Sequence, residues 1–162
     1  MLEYNNFEYG KLGLIYHLLK KIYKDYPFLD KNQKNNWISS WKEYDKLVFQ
    51  NLDTVGRSGF FSHIDTKVIG FCSWDPRKGG DEIIVGHNGI IPEYRGNGFG
   101  RKQIEYMIYA FKELGYKKAY VTTGEEKFFY AAQQNYISCG FTEKDRFSNG
   151  IQKLIKYEIN IR

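Results

Sequence analysis

Two cysteines and three prolines in 162 residues say first what this chain does without. Cys72 and Cys139 are too few and too far apart for a disulfide framework or a zinc ligand set. Both stand in apolar contexts, so reduced, buried thiols are expected, and no metal. The scarcity of proline, with 42% hydrophobic residues, argues against a disordered linker protein. The opening MLEYNNFEYG lacks a cationic segment followed by an apolar run, so no signal peptide is expected. No apolar run approaches the roughly 20 residues of a membrane helix. A soluble, cytoplasmic protein without a membrane partner is the expectation. Clustered cations are missing too. The net charge is +5, but the lysines are scattered, so nucleic acid is not an expected partner. A mild positive balance suits an anionic small ligand.

What is present reads as alternating helical and strand patterns. Residues 10–25 carry Leu12, Ile15, Leu18, Leu19 and Ile22 at helical spacing, with Pro27 as the expected stop. A second helix is expected over 37–50, with Trp37, Trp41, Tyr44 and Val48 on one stripe and Asn35 or Asn36 as cap. SGFFSHI and KVIGFCSW are short β-runs around an Asp65-Thr66 turn, and DPRKGGD is a loop. DEIIVGHNGII is a strand interrupted by Gly86 and Gly89; strand glycines mark bulges or close backbone approaches. GRKQIEYMIYAFKELG is a helix ended by Gly115, KKAYVTTG a strand, and EKFFYAAQQNYISCG a helix ended by Gly140. FTEKDRF and IQKLIKYEI are strands joined by Ser148-Asn149-Gly150. The order is α-α-β-β-β-α-β-α-β-β, with a possible short strand near Leu2–Tyr4. This predicts one mixed α/β (α+β) domain over 1–162, with a mostly antiparallel sheet of about six or seven strands flanked by helices.

Between the third expected strand and the third helix stands IPEYRGNGFGR. A helix's first turn leaves backbone N–H groups without intrahelical partners, and these, with the helix dipole, attract anions. Glycine lets backbone approach a phosphate closely. Arg95, Arg101 and Lys102 can add charge-assisted bonds, so the stretch reads as a pyrophosphate cradle. Gly100-Arg101-Lys102 is not the Gly-Lys-Ser/Thr ending of a P-loop. Gly96, Gly98 and Gly100 give G-x-G-x-G rather than G-x-G-x-x-G, and they follow antiparallel strands, so a dinucleotide fold is a poor fit.

Arg95-Gly96-Asn97-Gly98-Phe99-Gly100 resembles the R/Q-x-x-G-x-G/A loop of the GNAT superfamily of acyl-CoA-dependent N-acetyltransferases. Residues 132–141, AQQNYISCGF, resemble that family's A-x-x-L-Y-x-x-x-G-F segment, and Gly70-Phe71 its usual strand before the loop. The element order fits the GNAT core from about residue 59 onward, whereas residues 1–58 match only as two helices. The resemblance implies acetyl-CoA as acyl donor. The loop backbone of Gly96, Asn97, Gly98, Phe99, Gly100 and Arg101 would hold the pyrophosphate, and Arg95 would either join it or brace the loop. A backbone N–H at Ile90, with Ile91 adjacent, would polarise the thioester carbonyl.

Tyr136 matches the tyrosine that protonates the departing thiolate in many relatives; the bland alternative is an aromatic packed under its helix. His87 and Asn88 are the candidates for handling the amine proton. Strand alternation puts Ile84, Gly86 and Asn88 on the substrate-facing side and His87 on the other, where it would be a structural histidine; a bulge would reverse this. Asn88 could hold a water or the substrate. Glu125 and Glu126 read as a solvated helix start, and His63 as an exposed neighbour of a turn. Phe129 stands where many relatives have a pantetheine-binding Asn. Cys139 is not expected to act covalently.

The implied activity is acetyl transfer to a primary amine of a small molecule or peptide, by direct attack on the thioester. The alternative is an acyl-CoA-binding sensor or partner domain without transferase activity. A homodimer is possible. Trp37, Trp41, Tyr44, Phe60, Trp74 and Asp75 would suit either a cationic amine or an ordinary core.

Overall fold

The computed structural model describes residues Met1–Arg162. The elements are β1 (Leu2–Asn6), α1 (Leu14–Ile22), α2 (Lys31–Gln50), β2 (Gly59–Ile64), β3 (Lys67–Asp75), β4 (Glu82–Ile90), α3 (Phe99–Glu113), β5 (Lys118–Gly124), α4 (Tyr130–Ser138), β6 (Thr142–Ser148) and β7 (Lys153–Asn160). One seven-stranded sheet runs β1-β2-β3-β4-β5-β7-β6. β4 and β5 pair in parallel, while β1/β2, β2/β3, β5/β7 and β6/β7 are antiparallel. The short first strand is therefore real, and the mixed α/β expectation holds with seven strands and four helices. No helix is long and apolar enough to cross a membrane.

Element ends depart from the sequence pattern for local reasons. α1 starts at Leu14 because Gly13, at φ 100°, begins the turn. The Asp45 carboxylate accepts from the N–H groups of Gly13 (2.7 Å) and Tyr16 (2.9 Å), so a side chain from α2 caps α1. α1 ends at Ile22, well before Pro27, so proline does not stop it. α2 begins six residues before the expected start. Asp30, not Asn35 or Asn36, is the cap: it accepts from Gln33 N–H at 2.8 Å, and the Gln33 side chain accepts from Leu29 N–H at 2.7 Å. α4 begins at Tyr130, after a 3₁₀ turn over Lys127–Phe129, so Glu125 and Glu126 lie outside its first turn. Gly115, at φ 88°, ends α3 as expected, with Gly115 and Tyr116 N–H returning to Lys112 and Phe111. The β6–β7 turn spans 149–152. The Asn149 side chain accepts from Ile151 and Gln152 N–H, which delays β7 to Lys153.

The chain packs as two compact units. The first holds Met1–Ser73 and Asn88–Arg95. Its core sets Phe7 against Phe61 (4.9 Å between ring centres) and Phe71 (6.3 Å), with Ile15, Leu18, Leu19 and Ile22 of α1 buried. Tyr23 stacks on Trp41 at 5.4 Å and Tyr26 on Trp37 at 4.7 Å, so the tryptophan pair belongs to the packing between α1 and α2. Burial pushes the Tyr44 hydroxyl up to about 12 and the Cys72 thiol upward as well.

The second unit holds Trp74–His87 and Gly96–Arg162. α3 buries Ile104, Met107 and Phe111, and Phe111 meets Trp74 edge-on at 5.1 Å. Cys139 is half-exposed rather than buried, because it caps α4, and its thiol reaches Arg101 O at 3.7 Å. His63, in the first unit, is also not simply exposed. Its Nδ1 donates to Asp65 O (2.9 Å), which leaves Nε2 to accept from the Asn5 amide (2.6 Å).

Candidate active site

Along β4 the side chains alternate as expected: Ile83 and Val85 are buried, Ile84 and Gly86 exposed. His87, Asn88 and Gly89 are half-buried, and Ile90 and Ile91 are buried. The parallel ladder with β5 runs Glu82↔Lys118, Ile83↔Ala119 and Ile84↔Tyr120. It stops there, although β5 continues to pair with β7 as far as Gly124↔Leu154. Desolvation pushes the His87 imidazole down to about 4, so it is neutral at pH 7. Gly89 has its own reason. A Cβ there would sit 2.9 Å from Cδ1 of Ile22, so α1 packs directly on the strand backbone. Of the two expected backbone donors, Ile91 N–H is engaged with Ile69 O at 2.8 Å.

Arg95 braces rather than reaches outward. Its Nε donates to Ile90 O (3.0 Å) and its Nη2 to Ile22 O (2.8 Å), the last carbonyl of α1. A cation at a helix C-terminus satisfies both an orphan carbonyl and the helix dipole. The following loop is exposed. Gly96 and Gly98 take φ 80° and 79°, and nothing lies within 4 Å of where a Cβ would stand on either. They are glycine for backbone conformation and not for crowding. Gly98 caps α3, whose ladder opens with Lys102 N–H to Gly98 O at 3.1 Å. Phe99, Gly100 and Arg101 form the turn before that bond, at the positive end of a 15-residue helix. The Arg101 side chain lies back along the helix, 3.0 Å from Glu105. So Arg95 and Arg101 are engaged with protein groups, and the exposed part of the loop is backbone around Gly96 and Gly98.

Tyr136 is the one buried residue of α4, at 3% exposure. Its ring meets Phe141 edge-on at 5.3 Å and stacks on Tyr157 at 6.3 Å. Phe129 closes over the end of β5, where a Cβ on Gly124 would lie 2.5 Å from its ring. Gln133 Nε2 donates to Gly124 O at 2.9 Å. Glu125 pairs with Arg146 (3.3 Å), and Glu126 accepts from Gln152 (3.1 Å). No group of three or more His, Cys, Asp or Glu side chains is placed to hold a metal.

The sequence profile of the acetyltransferase (GNAT) family matches residues 15–141. The chain belongs to the GNAT family. That membership makes it an acyltransferase, and its fold is shared across solved GNAT structures. A GNAT-family protein from Desulfovibrio desulfuricans is 12% identical, with a TM-score of 0.76 and 100% of both chains covered. The ribosomal-protein-S18-alanine N-acetyltransferase of Escherichia coli is 16% identical, with a TM-score of 0.69, covering 99% of this chain and 94% of that one. The PaiA N-acetyltransferase of Thermoplasma acidophilum, solved with coenzyme A, is 12% identical, with a TM-score of 0.71, covering 98% and 99%. No curated protein matches the GNAT chain in sequence.

Three relevant residues escaped the sequence reading: Asp45, Gly124 and Gln133. Asp45 carried a signal, since a lone carboxylate on the apolar Trp41–Asp45–Val48 stripe of α2 needs donors once buried. Gly124 and Gln133 looked like ordinary strand-end and helix-surface residues.

Proposed function

We propose that this GNAT chain moves the acetyl group of acetyl-CoA to a primary amine by direct attack on the thioester. The observation that carries this reading is the loop. Two positive-φ glycines lead into a long helix whose first-turn N–H groups lie outside its own ladder, with open space beside the glycines. That backbone suits a pyrophosphate, and solved GNAT relatives hold coenzyme A or acetyl-CoA.

In this reading the N–H groups of Gly96–Arg101 hold the donor's pyrophosphate. Ile90, rather than Ile91, is the backbone donor toward the thioester carbonyl, because Ile91 N–H is used within the sheet. The amine lone pair attacks the carbonyl carbon, the C–S bond breaks, and Tyr136 gives its proton to the thiolate. His87 is a poor base, because a group near 4 has little drive to take an ammonium proton at neutral pH. Asn88 orders the water through which the amine proton leaves. The acceptor class is a small-molecule or peptide amine; one relative acts on a ribosomal protein's alanine.

The test is a panel of polyamines, amino acids, aminoglycosides and peptide N-termini with acetyl-CoA, read by thiol release. Release with at least one amine is expected. Binding of acetyl-CoA with no release across the panel would favour a sensor without transferase activity. On an active pair, Tyr136→Phe should lower kcat by about 100-fold with the acetyl-CoA KM little changed. An unchanged kcat would leave Tyr136 as packing only. The kcat/KM profile should follow the free-amine fraction, with no inflection from an enzyme group near pH 6–7.

A further inference from the structure

The first unit contains a cavity of about 360 Å³ whose lining includes none of the residues assigned above to the transfer reaction. Leu12, Gly13 and Tyr16 line one side, and Lys42, Asp45 and Lys46 of α2 line the other. Its volume falls within the roughly 300–1,000 Å³ of small-molecule sites.

The floor is rigid. Asp45 is 3% exposed, and both its carboxylate oxygens accept backbone N–H bonds, from Gly13 and from Tyr16. The start of α1 is thus already capped, and each Asp45 oxygen is engaged by a backbone donor. The walls are apolar: Leu12 stays 63% exposed, and the Tyr16 ring faces the same space. The rim is cationic. Lys42 and Lys46 are one turn apart on α2, and the ammonium groups of Lys42 and Lys20 lie 5.3 and 5.4 Å from the centre of the Tyr16 ring. Lys42 and Lys20 rest on the aromatic ring, and neither they nor Lys46 is held in an ion pair. Only Glu43 opposes them on the rim.

An exposed leucine, an aromatic wall and an excess of unpaired ammonium groups around a preformed hollow describe a definite guest. We propose that this cavity binds a small anionic amphiphile, an aromatic or branched aliphatic carboxylate or sulfonate, independently of the acyl donor. The apolar body rests on Leu12 and Tyr16, and the acid group meets Lys42 and Lys46. A cationic or dianionic guest without an apolar body fits less well, because the walls give it nothing to bind.

The test uses 1-anilinonaphthalene-8-sulfonate as the anionic probe and N-phenyl-1-naphthylamine as its neutral counterpart. Fluorescence titrations are run on the full chain first alone and then with saturating acetyl-CoA, which removes the donor site from competition. The Lys42→Gln/Lys46→Gln variant should weaken the sulfonate at least fivefold and leave the neutral probe nearly unchanged. Leu12→Asn should weaken both probes. All three side chains are solvent-accessible, and thermal melts should match the parent, with acetyl-CoA affinity unchanged. The proposal is overturned if the sulfonate binds both variants as it binds the parent, if acetyl-CoA displaces it, or if neither probe binds.

Discussion

Gly89 and the pair Gly96 and Gly98 stand close in sequence, and the chain uses them differently. At Gly89 the backbone is ordinary, and the constraint is the side chain of Ile22, 2.9 Å from where a Cβ would stand. At Gly96 and Gly98 there is room for a side chain, and the constraint is φ near 80°. The first is a packing glycine, set by a helix lying on a strand. The others shape an exposed turn that leads into α3. A sequence shows the same letter at each position, so the distinction belongs to structure.

Gly96→Ala/Gly98→Ala together should weaken acetyl-CoA binding by about 100-fold, the loss of one or two charge-assisted bonds, measured by calorimetry. The same variant should lose about 1–2 kcal/mol of stability per alanine from left-handed strain. Gly89→Ala should cost about 1–2 kcal/mol, roughly half the loss of the double variant, through overlap with Ile22, yet leave acetyl-CoA affinity within twofold. Two glycine lesions that both lower the melting temperature, only one of which weakens binding, would separate the two roles. Equal losses of affinity would erase the distinction.

A pH-dependent effect concerns His87. Its folded pKa of about 4 lies below the unfolded value near 6.5, so the unfolded chain binds more protons between those limits. The stability contribution is complete above about pH 6.5 and is lost as pH falls toward 4, by up to roughly 3 kcal/mol. His87→Asn should flatten that part of the denaturation profile. The smallest expected change is Asp30→Ala, which removes the α2 cap at about 1 kcal/mol and leaves donor affinity unchanged.

Much of the strand–loop–helix geometry around Gly96 and Gly98 was legible because local rules fix it. A strand, positive-φ glycines and an amphipathic helix follow one another in the chain, and the second motif at Ala132–Phe141 lies on the next crossover. The interior of β4 also followed alternation, with Ile83 and Val85 in and Ile84 and Gly86 out. What stayed hidden depends on partners distant in sequence. Arg95 looks like a phosphate ligand until the carbonyl of Ile22 takes it. Asp45 looks like a surface acid until the start of α1 is placed over it. The helix boundaries at Leu14 and Lys31 were set by Gly13 and Asp30, signals that a search for apolar spacing passes over.

The central claim is that the loop backbone, and not its arginines, meets the donor. Amide ¹H–¹⁵N spectra recorded while coenzyme A is titrated into the labelled chain test this most directly. The largest shifts are expected at the amides of Gly96 through Arg101, retained in Arg101→Gln and lost in Gly96→Ala/Gly98→Ala. Binding of coenzyme A that leaves these amides unmoved, or that Arg101→Gln abolishes, would contradict the claim.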